Sequence, residues 1–176
     1  MAKPLLRKIS FTVYSVLVFA GVVFSVSWAS AENLPSSLEP GEIITADDLR
    51  TLQLKHADFA LFDARGKAEY EISHIEGAVL PMPSDYYKKR ELFKNGVIPA
   101  PPDLELALTQ AMNPYSKDQR IITYCNRNCT ASSVLLQQLK KSGFKNVQSM
   151  EEGLQSWQEK SYPVAIGVPH LSSDEI

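Results

Sequence analysis

The run Ile121-Ile122-Thr123-Tyr124-Cys125-Asn126-Arg127-Asn128-Cys129-Thr130 constrains this chain more than any other stretch. Its first residues read as a buried strand and the polar run after Cys125 as a tight loop. Beyond the loop, Val134, Leu135, Leu136 and Leu139 recur at helical spacing. Lys140 and Lys141 fall in the expected last turn of that helix, and Gly143 stands where a C-terminal cap is needed. A strand that hands its last residue to a loop closed by a helix start places Cys125 against free backbone N–H groups and the positive end of the helix dipole. Both favour a sulfur anion over a neutral thiol. Cys125 is therefore read as a nucleophile. The plainer alternative, a small apolar residue at a strand end, leaves the polar neighbours Asn126, Arg127 and Asn128 unexplained.

Strand and helix signals alternate along the rest of the chain. Strands are expected over 42–45, 59–63, 78–82, 120–124 and 147–150. Helices are expected from 46 onward (capped by Thr45), over 67–72, over 85–94 and over 103–112. This alternation predicts an α/β fold, a central parallel sheet of about five strands with helices on both faces. Ligands of such sheets bind beyond the carboxyl ends of the strands, where Cys125 falls. The charged helix over 85–94 carries Tyr86, Tyr87, Lys88, Lys89 and Arg90, and is read as a solvated amphipathic helix in preference to the wall of an acceptor site.

A second segment points to the same chemistry. Asp63, Arg65, Glu69 and Tyr70, followed by His74-Ile75-Glu76-Gly77-Ala78, and later Gly153, Trp157 and Tyr162-Pro163-Val164, resemble in order and spacing the motifs of the rhodanese-like domain family, with Ser73 where glycine is usual. The resemblance covers residues 40–165 and implies a rhodanese-like fold. It also implies that Cys125 takes a sulfur atom from thiosulfate or a similar donor, becomes a persulfide, and passes the outer sulfur to a thiol or cyanide. On the same ground Asn126, Arg127, Asn128, Cys129 and Thr130 line the substrate, with Arg127 as the donor-binding cation. Asp63, Arg65 and His74 are implied to brace the loop. Phosphatases of this fold close a longer loop with arginine six positions after the cysteine; that position is Ala131 here, so phosphoryl transfer lacks its bidentate partner.

Asn128 stands where the loop commonly has glycine, and asparagine tolerates positive backbone φ better than most residues. Cys129 is the less usual departure. It is read as a packing residue in the first helical turn, because a helix start is expected to hold the two thiols apart. The competing reading makes it a resolving thiol in a thiol–disulfide redox protein, and a third makes the domain a non-catalytic binding module. Sulfur transfer of this kind requires no external cofactor. Two cysteines and the scattered His56, His74 and His170 form no zinc spacing, so no metal is expected.

Lys3, Arg7 and Lys8 precede an apolar run over 11–28, and Ala29-Ser30-Ala31 offers small residues before Glu32. Residues 1–31 therefore read as a signal peptide, 32–41 as a linker, 42–168 as the domain and 169–176 as a tail. The expected location is exported and periplasmic, with membrane association only if the leader stays uncleaved as an anchor. The chain has a formal net charge of -2, and loss of three cationic and no anionic residues with the leader makes it -5. Together with scattered basic residues this argues against a nucleic-acid surface.

Overall fold

The computed structural model of the chain describes residues 38–167. The expected leader, the C-terminal tail and most of the linker lie outside those residues. A 3₁₀ turn at Pro40–Glu42 precedes α1 (Ala46–Leu54), β1 (Ala60–Asp63), α2 (Lys67–Ile72) and β2 (His74–Ile75). Then follow α3 (Ser84–Lys94), α4 (Leu104–Ala111), β3 (Arg120–Tyr124), α5 (Ala131–Lys141), β4 (Asn146–Met150), α6 (Gly153–Glu159) and β5 (Val164–Ala165).

The central sheet is parallel in the order β1-β3-β4. Single parallel bridges, Phe62 to Val79 on one edge and Ile43 to Ser149 on the other, extend it on both sides. The five expected strands are thus three regular strands and two one-residue edges, for a local reason on each side. Val79 exchanges backbone hydrogen bonds with Leu61 and Asp63, but Pro81 follows and brings no N–H to a ladder. Near Ile43 the chain is consumed by the 3₁₀ turn before it and by Thr45 after it, whose hydroxyl accepts from the Asp48 amide and caps α1. Sequence reading missed the antiparallel ribbon of β2 with β5, because two residues per strand display no periodicity.

Ile121, Ile122, Thr123 and Tyr124 of β3 are all buried, as expected of a central parallel strand covered on both faces. Around it Phe62, Leu49, Tyr70, Leu136, Leu139 and Trp157 are fully buried, and the Trp157 indole donates to the Pro163 carbonyl at 2.8 Å. Helix α5 ends where its glycine stands. Gly143 has φ +90°, and the Gly143 and Phe144 amides return to the carbonyls of Lys140 and Leu139 at 2.9 and 3.1 Å. This fixes the helix at one end while its other end receives the cysteine loop.

Candidate functional site

Cys125 leaves the carboxyl end of β3 and opens a loop held from three sides. The Thr123 hydroxyl of β3 donates to the Ser132 carbonyl of α5 at 3.1 Å, joining strand to helix beneath the loop. From the α6 side, the Leu154 amide donates to the Cys125 carbonyl at 2.9 Å. The Gln155 side-chain oxygen accepts from the Arg127 amide at 2.7 Å. Gly153, with φ +72°, lies directly under the loop; a Cβ there would sit 2.3 Å from the Arg127 nitrogen and 2.5 Å from the Asn126 carbonyl carbon. Only glycine permits that approach. Asn128 takes φ +61°, the left-handed conformation glycine would otherwise supply. The Cys129 amide closes the turn on the Asn126 carbonyl at 3.2 Å. The amides of Asn126, Asn128 and Thr130 make no hydrogen bond among the described residues. Sequence reading missed α6, a seven-residue helix with no side-chain N-cap, and with it the Gln155 brace.

The two cysteines are joined. A disulfide links Cys125 to Cys129 with the alpha carbons 6.1 Å apart, which corrects the expectation that Cys129 only packs in a helical turn. Helix α5 begins at Ala131, two residues later than that expectation required, so Cys129 still belongs to the loop. The left-handed turn at Asn128 brings the chain back toward Cys125. The two sulfurs differ in access: Cys125 is 2% exposed, while Cys129 is half-buried and faces outward. The Ala131 amide of α5 approaches Cys129 Sγ at 3.5 Å.

Arg127, the expected donor cation, is paired with a carboxylate of α6. Its guanidinium makes a two-pronged pair with Glu159 of α6 at 2.9 and 2.6 Å, with its side chain 44% exposed. Hydrogen bonding to Glu159, reinforced by the carboxylate's charge, raises the guanidinium above its ordinary pKa. The charge expected to meet a donor is already answered.

Asp63 and Arg65 form a buried pair behind the loop. The Arg65 guanidinium donates to both Asp63 oxygens, the shortest contact being 2.6 Å, and to the Ser73 carbonyl at 2.5 Å. Asp63 also accepts from the Tyr124 hydroxyl at 2.7 Å, and that hydroxyl in turn accepts from the Ile75 amide at 3.1 Å. Burial raises the Tyr124 phenol well above its usual pKa, and the Asp63 charge raises it further. Burial alone would lower the Arg65 guanidinium, but Asp63 more than offsets it and the net shift is upward. His74 stacks on Tyr70 with ring centroids 3.7 Å apart, and its Nδ1 lies 2.9 Å from the Tyr70 carbonyl. These groups hold β1, β2 and the end of β3 together, and among the described residues none of them is hydrogen-bonded to a cysteine sulfur. Tyr124, the residue just before the nucleophile, had no motif to mark it as part of this network.

A pocket of about 320 Å³ opens between the loop and α3. Cys129 and Thr130 form one wall and Tyr86, Tyr87 and Arg90 the other, with Arg65 at its inner end. Helix α3 keeps the expected amphipathic pattern, with Lys88 and Lys89 exposed, but its covered face walls the pocket: Tyr87 is buried and Tyr86 half-buried there. A larger cleft of about 470 Å³, between α4 and α5, contains no cysteine.

Over 121 residues, 69% of its length, the chain is 26% identical to the tRNA uridine(34) hydroxylase of Photorhabdus laumondii, of which it spans only 29%. Among solved structures it is similar to the BH2092 protein from Bacillus halodurans, with a TM-score of 0.54, 20% identity, and coverage of 72% of this chain and 77% of that one. It is similar also to the thiosulfate sulfurtransferase from Pseudomonas aeruginosa, with a TM-score of 0.51, 20% identity, and coverage of 72% of this chain and 20% of that one. These likenesses carry the α/β fold, with its parallel sheet and flanking helices. The family model for the rhodanese-like domain matches residues 45–160, about two thirds of the sequence, and the chain belongs to that family.

Proposed function

We propose that this chain is a sulfurtransferase that moves sulfane sulfur from thiosulfate or a similar donor to a thiophilic acceptor through a persulfide on Cys125. The observation that carries the reading is the position of Cys125, at the carboxyl end of the central strand and at the start of a loop in which three amides make no hydrogen bond among the described residues. In the reduced protein the Cys125 thiolate attacks the outer sulfur of thiosulfate, the sulfur–sulfur bond of the donor breaks, and sulfite leaves with the electron pair. The loop amides then stabilise the terminal sulfur anion, as preorganised donors stabilise an oxyanion. A thiol or cyanide removes that sulfur and returns Cys125 as a thiolate. No step draws on a metal or an organic cofactor.

The disulfide adds a step before the first turnover. With Cys125 joined to Cys129 there is no thiolate, so two electrons from a thiol reductant must open the bond. The same bond favours a second reading, a thiol–disulfide redox protein using Cys125 and Cys129. Intact mass separates the two. After reduction and exposure to thiosulfate, a sulfurtransferase gains one sulfur, about 32 Da, whereas a pure redox protein takes up no sulfur and loses two hydrogens only when a disulfide oxidant such as oxidised glutathione is supplied. Cys129→Ala refines the test. It removes the disulfide and leaves Cys125, so turnover is expected within about threefold of the reduced wild type and no longer dependent on a reductant. Loss of turnover in that variant would favour the redox reading.

We further propose that the protein works outside the cytoplasm. Residues 1–31 support this, and so does a disulfide, which persists in oxidising compartments. Mature protein recovered from cells is expected to begin at Glu32, which N-terminal sequencing reads directly; an intact Met1 in the membrane fraction would favour an anchor instead.

A further inference from the structure

The pocket beside the loop touches Cys129 and not Cys125. Its lining contains two guanidinium groups, Arg65 and Arg90, and no carboxylate. Arg65 is held by Asp63, but Arg90 has no ion pair or hydrogen bond among the described residues, and the acids nearest to it along α3 are engaged elsewhere: Asp85 by Lys89, Glu91 by Lys94. One helical turn before Arg90, the Tyr87 hydroxyl is buried and makes no hydrogen bond of ordinary geometry among the described residues. A loose contact from the Met82 backbone amide tempers the upward shift that burial imposes on this phenol. An unsatisfied buried hydroxyl costs roughly 1–3 kcal/mol, so a lone one in a pocket wall points to a polar group that satisfies it when bound. Tyr86 adds an aromatic face, and Leu104 closes the apolar side.

We infer that this pocket receives a small anionic thiol, which attacks Cys129 Sγ and releases Cys125 as the thiolate. Displacement at sulfur is in line, so the nucleophile must arrive opposite the departing sulfur. The pocket lining includes Cys129 and not Cys125, so a thiol bound there reaches Cys129 first. The hydrogen bond from the Ala131 amide to Cys129 Sγ would, taken alone, favour Cys129 as the leaving sulfur. Access decides against it, since attack on Cys125 must pass through a residue only 2% exposed. The leaving Cys125 thiolate instead stays in the loop whose Asn126, Asn128 and Thr130 amides make no hydrogen bond among the described residues, and a thiolate that such amides stabilise leaves faster.

The electrons balance in two exchanges. The first thiolate bonds to Cys129 Sγ, and the pair of the broken protein disulfide goes to Cys125. A second thiolate then attacks the small-molecule sulfur of the mixed disulfide, releasing Cys129, which takes up a proton. Two thiols become one disulfide, and the protein disulfide becomes two thiols. The Arg90 guanidinium and the Tyr87 hydroxyl hold the anionic group of the incoming thiol. This assignment rests on the sulfur-transfer reading only for what the freed Cys125 does next.

The experiment uses the oxidised full chain and 2-mercaptoethanesulfonate as the probe, quenched at early times with N-ethylmaleimide and mapped by peptide mass spectrometry. The expected product has the mercaptoethanesulfonate on Cys129 and the maleimide on Cys125. Arg90→Gln, a substitution at a residue without partners, is expected to slow opening by the anionic thiol about tenfold while changing opening by neutral 2-mercaptoethanol less than about twofold. A probe found mainly on Cys125, or equal slowing of both thiols by Arg90→Gln, overturns the inference. If the opened protein instead takes no sulfur from thiosulfate, the sulfur-transfer reading fails and the pocket assignment stands on its own result.

Discussion

Serine in place of Cys125 is expected to lower sulfur transfer from thiosulfate to cyanide by at least about 10³-fold, measured on reduced protein as thiocyanate formed per enzyme. The size of the effect follows from the chemistry. A serine hydroxyl is not ionised near neutral pH, so the loop amides have no anion to stabilise, and oxygen at this position forms no persulfide. Nothing else near the site replaces it: Cys129 faces the pocket beyond the far end of the loop, and its Sγ is met by one long contact from the Ala131 amide. Structure is not the confounder, because Cys125→Ser changes one atom in a loop whose hydrogen bonds run through the backbone and through Gln155. Transfer within tenfold of wild type in this variant would sink the Cys125 assignment. If instead Cys125→Ser and Cys129→Ala lose a disulfide-reduction activity equally, the redox reading gains.

How much of this could be read beforehand differs from element to element. The β3-loop-α5 unit was legible because three signals agree there: a continuous apolar strand, a polar loop and a helix with both its apolar spacing and its terminating glycine. The α1 boundary was legible from Thr45, whose hydroxyl makes the expected cap. The state of the sulfurs was not. Whether Cys129 sits in the loop or the helix depends on a two-residue difference in where α5 starts, and helix boundaries are the least determined feature of a sequence. That difference alone separates a packing cysteine from a disulfide partner. Arg127 shows a second kind of limit. Its position in the loop was correctly read, but Glu159, which takes its charge, lies 32 residues away on a helix that no periodicity announced. Arg90 shows the converse, since nothing local distinguishes it from its solvated neighbours Lys88 and Lys89, and only the packing of α3 against the loop turns it into the pocket.

Asp63→Ala is expected to destabilise the domain by about 3–5 kcal/mol, a fall in melting temperature of about 10–20 °C. The loss exceeds that of an ordinary core truncation because of what stays behind. Arg65 remains charged and only 7% exposed with its carboxylate gone, and the Ser73 carbonyl alone cannot replace that partner. The Tyr124 hydroxyl loses its acceptor at the same time, one residue before Cys125. A second substitution separates the two costs. Replacing Arg65 with leucine in the Asp63→Ala background removes the stranded charge and restores apolar volume, so it should recover about half or more of the lost stability. The remainder belongs to the unpaired Tyr124 hydroxyl and the Ser73 carbonyl. Sulfur transfer should stay depressed in the double variant, because Tyr124 is no longer tied to β1 and the start of the loop is less well held. Denaturant titrations of the wild type, both single variants and the double variant form the required cycle. A loss below about 1 kcal/mol for Asp63→Ala, or no recovery in the double variant, would mean that the pair is not what holds β1 to the end of β3.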